Sequence, residues 1–311
     1  MHTRQEDGVS EEPSIATLSR LAVRTEGIFT LREAVSNGVT ANQIAGLVRK
    51  HVVERVLPRT YRLVAVRRSS EQDLHAAILW AGANAAVAGR SAGERYRLEG
   101  VRARKPEIVV PHGNRARTSF AVVAEGDRRA LMIRAVRGLP TTGVEATLLR
   151  LAHELDEEEF EVACEDARRR QLTSITALER YLERHARRGR PGVSTLRSLL
   201  RELDPDHPAR STLEVMTRRL LVAHGFGAFV REYPLDWNGR THRFDFAFPE
   251  RRVILETNGR RWHDDAADYE HDQEKWSVPG RHGYRIVFAT WDKVTRRPDE
   301  LLGELSAALA A

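Results

Sequence analysis

The chain has 311 residues, enough for two or three domains with their own cores, and 41% of them are hydrophobic, a globular fraction. No apolar run approaches membrane-spanning length and the start, MHTRQEDGVSEEPS, is polar rather than signal-like, so a cytoplasmic protein with no membrane partner is expected. One cysteine, Cys164, excludes an internal disulfide or a cysteine zinc site, while a net charge of +6 and a pI near 9.8 favour an anionic partner.

Residues 1–14 read as a disordered tail, after which Ile15, Leu18, Leu21 and Ala22 mark the apolar face of a first helix. Thr30 opens TLRE and Thr40 opens TANQ, two capping boxes that start a second and a third helix, and Asn37-Gly38 separates them. In the third helix Ile44, Leu47 and Val48 face inward. Asn42, Gln43, Arg49 and Lys50 are left outside, with groups able to reach base edges or phosphates. The run VVERVLPRTYRLVAV then holds two short strands around Pro58-Arg59, a hairpin suited to the wing of a winged helix-turn-helix, with Arg55 and Arg59 adding positive charge.

GIFTLREAVSNGVTANQIAGLVRK followed by a wing ending in TYRL resembles the N-terminal domain of AbiEi-type antitoxins. That resemblance implies a duplex-DNA-binding domain over 15–66 and a cognate toxin as partner. The family usually has glycine before the wing tyrosine, where this chain has Arg59-Thr60. A small helical domain used for protein contact is the competing reading.

Residues 67–200 read as a mixed α+β middle region, similar to the corresponding part of the same antitoxins. It predicts a helix, a turn and a second helix entered through Ser91, strands in PEIVVPHG and MIRAVRGLP, and a helix in which Thr142 caps towards Glu145. His75, His112 and His153 fit no ligand pattern. RRGRPG, at 187–192, reads as a linker that could also touch phosphate, with a solvated charge run the favoured reading.

From 201 onward the pattern changes. Ser211 starts a helix with Leu213, Met216, Leu220 and Leu221 inward, Phe229 to Leu235 is a strand, and Asn238-Gly239 is a strong hairpin signal. Alternation in the next strand places Phe244, Phe246 and Phe248 on one face and Asp245 on the other; in the strand after that, Ile254, Glu256 and Asn258 share a face. Two acids from consecutive strands suggest a divalent cation, because an ionised carboxylate in an apolar strand pair is costly unless paired or metal-bound. Asp268 to His282 fits a helix that Pro279 should end.

This order resembles the PD-(D/E)xK nuclease fold, and in detail a domain of unknown function allied to very-short-patch repair endonucleases. The marks are Ser211 to Glu214, Asp245, ETNG at Glu256 to Gly259, Trp262-His263 and GYRIVFATWD. The resemblance implies Mg²⁺ or Mn²⁺ held by Asp245 and Glu256, with Glu214 reaching it through water. Asn258 stands where the motif has lysine and the subfamily aspartate, and an amide can orient a water but cannot deprotonate it. His263 is then the substitute base, by analogy with the histidine after tryptophan in the very-short-patch enzymes, and Lys275 a second candidate for a displaced lysine. Bland alternatives stand beside each: a capping box for Glu214, cross-strand pairing with Arg243, Arg252 or Arg260 for Asp245 and Glu256, and a solvated loop for His263.

The whole reads as a multidomain α/β chain: a winged helix-turn-helix, a mixed α+β middle region and a restriction-endonuclease-like PD-(D/E)xK domain. Two functions fit, a Mg²⁺-dependent DNA endonuclease targeted by its own winged helix, or an antitoxin-like regulator whose nuclease-fold domain is inactive.

Overall fold

The computed structural model describes residues 11–114, 116–203, 211–258 and 275–311. It is a mixed α/β structure with three sheets, divided into two compact units: residues up to 156 together with 176–197, and residues 157–175 together with 198–311.

The first unit opens with α1 (Glu11–Leu21), four residues earlier than the apolar pattern indicates. Pro13 falls in the first turn, where its missing N–H breaks no helical bond. Then come β1 (Ile28–Thr30), α2 (Leu31–Ser36), α3 (Ala41–Arg49), β2 (Val53–Leu57) and β3 (Thr60–Leu63). Both capping boxes form: Thr30 and Thr40 each accept the N–H three residues on, and Glu33 and Gln43 reciprocate. The strands make an antiparallel sheet in the order β1-β3-β2. Leu18, Phe29, Ile44 and Leu47 fill the core beneath it. Helix α4 (Ser70–Ala81) joins this sheet through Ile28, Leu57 and Ala76. The buried Arg62 of β3 anchors it by bonding Gln72 Oε1 at 3.1 Å.

A five-stranded sheet follows, built from β4 (Ala86–Val87), β5 (Glu107–Pro111), β6 (Val122–Gly126), β7 (Arg134–Val136) and β8 (Leu139–Thr141) in the order β6-β5-β4-β8-β7. Helix α5 (Gly89–Arg95) begins at Gly89, ahead of Ser91, whose hydroxyl instead accepts the N–H of Glu107 at 3.0 Å. Its N-cap, Ala88, has no side-chain oxygen, and Glu107 of β5 supplies one by accepting the Arg90 N–H at 2.9 Å. Gly89 has φ +54°, and a Cβ there would overlap the Glu107 carboxylate. Gly89→Ala should therefore destabilise the fold by about 1–3 kcal/mol, read as a lowered denaturation midpoint. An unchanged midpoint would show that Glu107 can withdraw without loss.

Helix α7 (Val144–Glu154) is capped at Gly143, so Thr142 does not cap towards Glu145. The Thr142 hydroxyl lies 2.7 Å from that of Thr147, a closer partner than the helix start.

In the second unit, helix α8 (Glu157–Arg169) carries buried Cys164, whose thiol burial pushes up to about 12 and so keeps inert. Buried Glu161 of α8 ties down Arg218 at 2.6 Å and Arg219 at 2.6 Å, both on α11 (Thr212–Ala223).

The sheet of this unit runs β12-β11-β10-β9: β9 (Val230–Trp237), β10 (Arg240–Phe248) and β11 (Val253–Asn258) are antiparallel neighbours, and β12 (Arg285–Thr290) is parallel to β11. The β9–β10 hairpin turns through Asn238 (φ +50°) and Gly239 (φ +73°), the paired positive values of a type I′ turn. Phe246, Phe248, Val253 and Leu255 pack on one side with α11 and the closing helix α14 (Pro298–Ala310), through Leu213, Leu221, Leu301 and Leu305. Ala247 and Ile254 face the other side with Val278, from the helix α12 of residues 275–281.

Two expectations change here. Phe244 packs with Ala247 and Val278, opposite to Phe246, so the alternation is interrupted at Asp245. The cause lies across the strand pair, where Glu232 has φ +50° and no extended pairing joins it to Asp245. Nor does Pro279 end its helix, which continues to 281 before Gly283 (φ +73°) turns the chain; the part of that helix expected over 268–274 lies outside the described residues.

Candidate functional site

The β-strand irregularity has a chemical result. One carboxylate oxygen from each of Glu214, Glu232 and Asp245 lies within 4.8 Å of the others, and all three residues are buried. They come from α11, β9 and β10. Carboxylates packed this closely in a low-dielectric setting repel one another, and a divalent cation is the partner their oxygens suit. Arg231 lies beside them, 3.0 Å from Glu214.

Ser211 does cap α11 by accepting the N–H of Glu214 at 3.2 Å. The Glu214 carboxylate turns instead towards Arg231 and the acid group. Asp245 is held by Thr257, whose N–H reaches Oδ2 at 2.8 Å and whose hydroxyl reaches the same oxygen. Neither Asp245 nor Glu256 has an ion pair with Arg243 or Arg252 among the described residues; the Arg243 guanidinium goes to the Glu232 carbonyl at 3.2 Å.

Glu256 lies one strand away, accepting the Asp245 N–H at 3.1 Å and forming an ion pair with Lys275 of α12. Burial, reinforced by the nearby Asp245 charge, pushes its carboxyl up to about 7 against the opposing pull of Lys275. Lys275 also lies over the Phe244 ring, 5.2 Å from its centroid. The ammonium that Asn258 does not provide at the end of β11 is thus brought to the same carboxylate from the next helix. Trp262, His263 and Arg260 lie outside the described residues.

Glu232 is the residue that sequence reasoning missed. In REYPLD it looks like one more polar strand position, and only the pairing of β9 with β10 carries it beside Asp245.

On the first unit, Asn42 and Arg49 of α3, Lys50 at its C-cap, and Arg55 and Arg59 of the β2–β3 hairpin are exposed. Gln43 is placed differently, its carbonyl oxygen accepting the Thr40 N–H at 2.8 Å in the capping box. Arg59 occupies the left-handed region at φ +59°, where a glycine would be unstrained.

No helix among the described residues is long and apolar enough to cross a membrane. No known family's sequence profile matches the chain. Two curated proteins, Uncharacterized protein MT2308 and Uncharacterized protein Rv2248, from two strains of Mycobacterium tuberculosis, are each 31% identical over 123 residues. The match takes in 39% of this chain and 45% of each relative, so the chain spans about half the length of the curated relatives it matches. Among solved structures the RV2827C protein from Mycobacterium tuberculosis aligns with 66% of this chain and 81% of its own, at 19% identity and a TM-score of 0.42.

Proposed function

We propose that the chain is a DNA-binding protein whose second unit holds Mg²⁺ or Mn²⁺ and hydrolyses DNA phosphodiester bonds, guided by a winged helix-turn-helix in the first unit. The observation that carries this reading is the buried group of Glu214, Glu232 and Asp245 beside the Glu256–Lys275 pair. A divalent cation held there supplies neutralisation of the scissile phosphate and a bound water of lowered pKa. Glu214, Glu232 and Asp245 would hold it, Thr257 fixes the Asp245 carboxylate, and Lys275 pairs with Glu256 and would offer a positive charge to the phosphate oxygens. The mixed sheet, with helices on both sides, fits the PD-(D/E)xK reading. Plasmid and single-stranded DNA incubated with the full chain and Mg²⁺ or Mn²⁺ should be cut, and cutting should stop with a chelator. Should neither wild type nor Asn258→Lys cut either substrate while specific duplex binding persists, the hydrolytic reading is wrong.

Asn258 favours a second reading, an antitoxin-like regulator with a cognate toxin and a silent nuclease fold, because the position gives an amide in place of a cation or a base. Both readings need the first unit to bind duplex DNA. Helices α1 to α3, the β1-β3-β2 sheet and the basic face of α3 and the hairpin support that role. Affinity should fall steeply with salt, and Arg49→Ala with Lys50→Ala should flatten the log–log slope by about 2, one unit for each phosphate that no longer meets a cationic side chain. Binding insensitive to ionic strength in fluorescence anisotropy would count against the interface.

A further inference from the structure

A cavity of about 450 Å³ opens in the first unit between the β5–β6 pair, α7 and the segment 185–191. That volume is within the range of small-molecule sites. Its floor is apolar, from Val109, Leu131, Ala146 and Leu149, and its rim carries arginines and carboxylates.

The charges on the rim are not equally available. Glu107 accepts the Arg90 N–H, and burial holds its carboxyl above the usual range. Glu125 is taken by Arg117 at 3.1 Å, and Asp127 caps the N–H of Arg129 at 3.0 Å. Arg150 pairs with Glu154, while Arg190 bonds the His185 carbonyl at 2.8 Å and the Tyr181 hydroxyl at 3.4 Å. Arg187 and Arg188 remain, both exposed and without an ion pair among the described residues. The segment that carries them is fixed on α7 by Gly192 (φ +83°), whose Cα lies so near the Leu149 carbonyl that a Cβ would overlap it. A segment pressed onto the helix this way is a wall of the cavity rather than a free linker.

We propose that this cavity binds a small phosphorylated molecule with an apolar or planar body, its phosphate on Arg187 and Arg188 and its body on the apolar floor. Arg187 and Arg188 line the cavity from consecutive positions, and two guanidiniums suit a dianionic head, which a phosphate monoester provides near neutral pH and a carboxylate does not. The floor lies beyond them, so phosphate alone leaves it uncovered and should bind less well than a nucleotide-sized ligand. This site is separate from the acid group of the second unit and does not depend on hydrolysis there.

The test is isothermal titration calorimetry on the full chain with each of the four common ribonucleoside monophosphates as probes, and with adenosine and inorganic phosphate as controls. At least one monophosphate should bind, and both controls should bind more weakly by about tenfold or more. The double variant Arg187→Ala, Arg188→Ala, which removes only exposed side chains, should weaken binding by about tenfold or more, and Ala124→Phe, on a half-buried lining position, should do so by filling the space. Circular dichroism checks that each variant is folded, and the arginine pair decides alone if Ala124→Phe is not. The proposal is overturned if no monophosphate binds, if phosphate binds as well as any of them, or if the arginine variant binds them unchanged. It is equally overturned if that variant loses only duplex-DNA affinity, which would make the pair a DNA backbone contact.

Discussion

Asp245→Asn should lower the proposed metal-dependent DNA cleavage by on the order of 100-fold or more, the scale on which single pre-organised electrostatic groups act. The amide keeps an oxygen for the Thr257 N–H, so the strand pair is preserved, but one of the three charges proposed to hold the cation is gone. Wild type should melt higher when Mg²⁺ or Mn²⁺ is added, since a ligand at a hundred times its Kd stabilises by about 2.7 kcal/mol. The variant should lose that increment while its metal-free melting temperature stays level or rises, because a buried repulsion is relieved. Two further substitutions separate the close group from the pair that strand alternation indicated. Glu232→Gln should weaken calorimetric metal binding as Asp245→Asn does; if it leaves the affinity intact while Glu256→Gln abolishes it, the cation sits with Asp245 and Glu256 instead. A variant that unfolds without metal would mark Asp245 as structural.

Metal-free protein should become less stable as pH rises from about 4.5 to about 7, by about 3 kcal/mol from Glu256 alone. The sign follows from the direction of the shift. A carboxyl with a folded pKa raised above its unfolded value binds its proton more tightly in the native state. Its contribution is therefore complete below the unfolded value and lost as pH passes through the folded one. Asp73 and Glu107 are also raised, and Glu54 and Glu125 are lowered, so the whole-protein curve is a sum. The useful measurement is the difference between wild type and Glu256→Gln in urea titrations at pH 5 and pH 8. Wild type should lose more stability across that interval than the variant, and equal losses would place the Glu256 titration elsewhere. Lys275→Met should steepen the difference, because it removes the charge that holds Glu256 down.

Local chemistry makes much of this architecture readable. Thr30-Glu33 and Thr40-Gln43 announce two helix starts because the bonds involved span three residues, and Asn238-Gly239 announces a hairpin because few residue pairs accept two positive φ values. Where local pattern misleads, the deciding interaction comes from far along the chain. Gly89 rather than Ser91 begins α5 because Glu107, on a later strand, provides the missing cap. The period-two pattern assigns Phe244 to the side of Phe246, and a distortion in the neighbouring strand reverses it. Glu232 belongs to the same class: nothing within a few residues of it marks it as a site residue, and it reaches its place through strand pairing, whereas Lys275, already a candidate for a displaced lysine, is carried to Glu256 by its helix.

The kink at Glu232 also bears on how this protein behaves in a crowded solution. Strand β9 is the outer rim of its four-stranded sheet, and an outer rim with an unbroken row of backbone donors and acceptors invites another chain to add a strand. Here Pro234 lacks a donor and Glu232 turns out of the extended conformation two residues earlier. The same distortion that gathers the carboxylates thus spoils β9 as a template for intermolecular strand growth, so that smoothing it, for instance to improve folding, would expose the sheet to self-association.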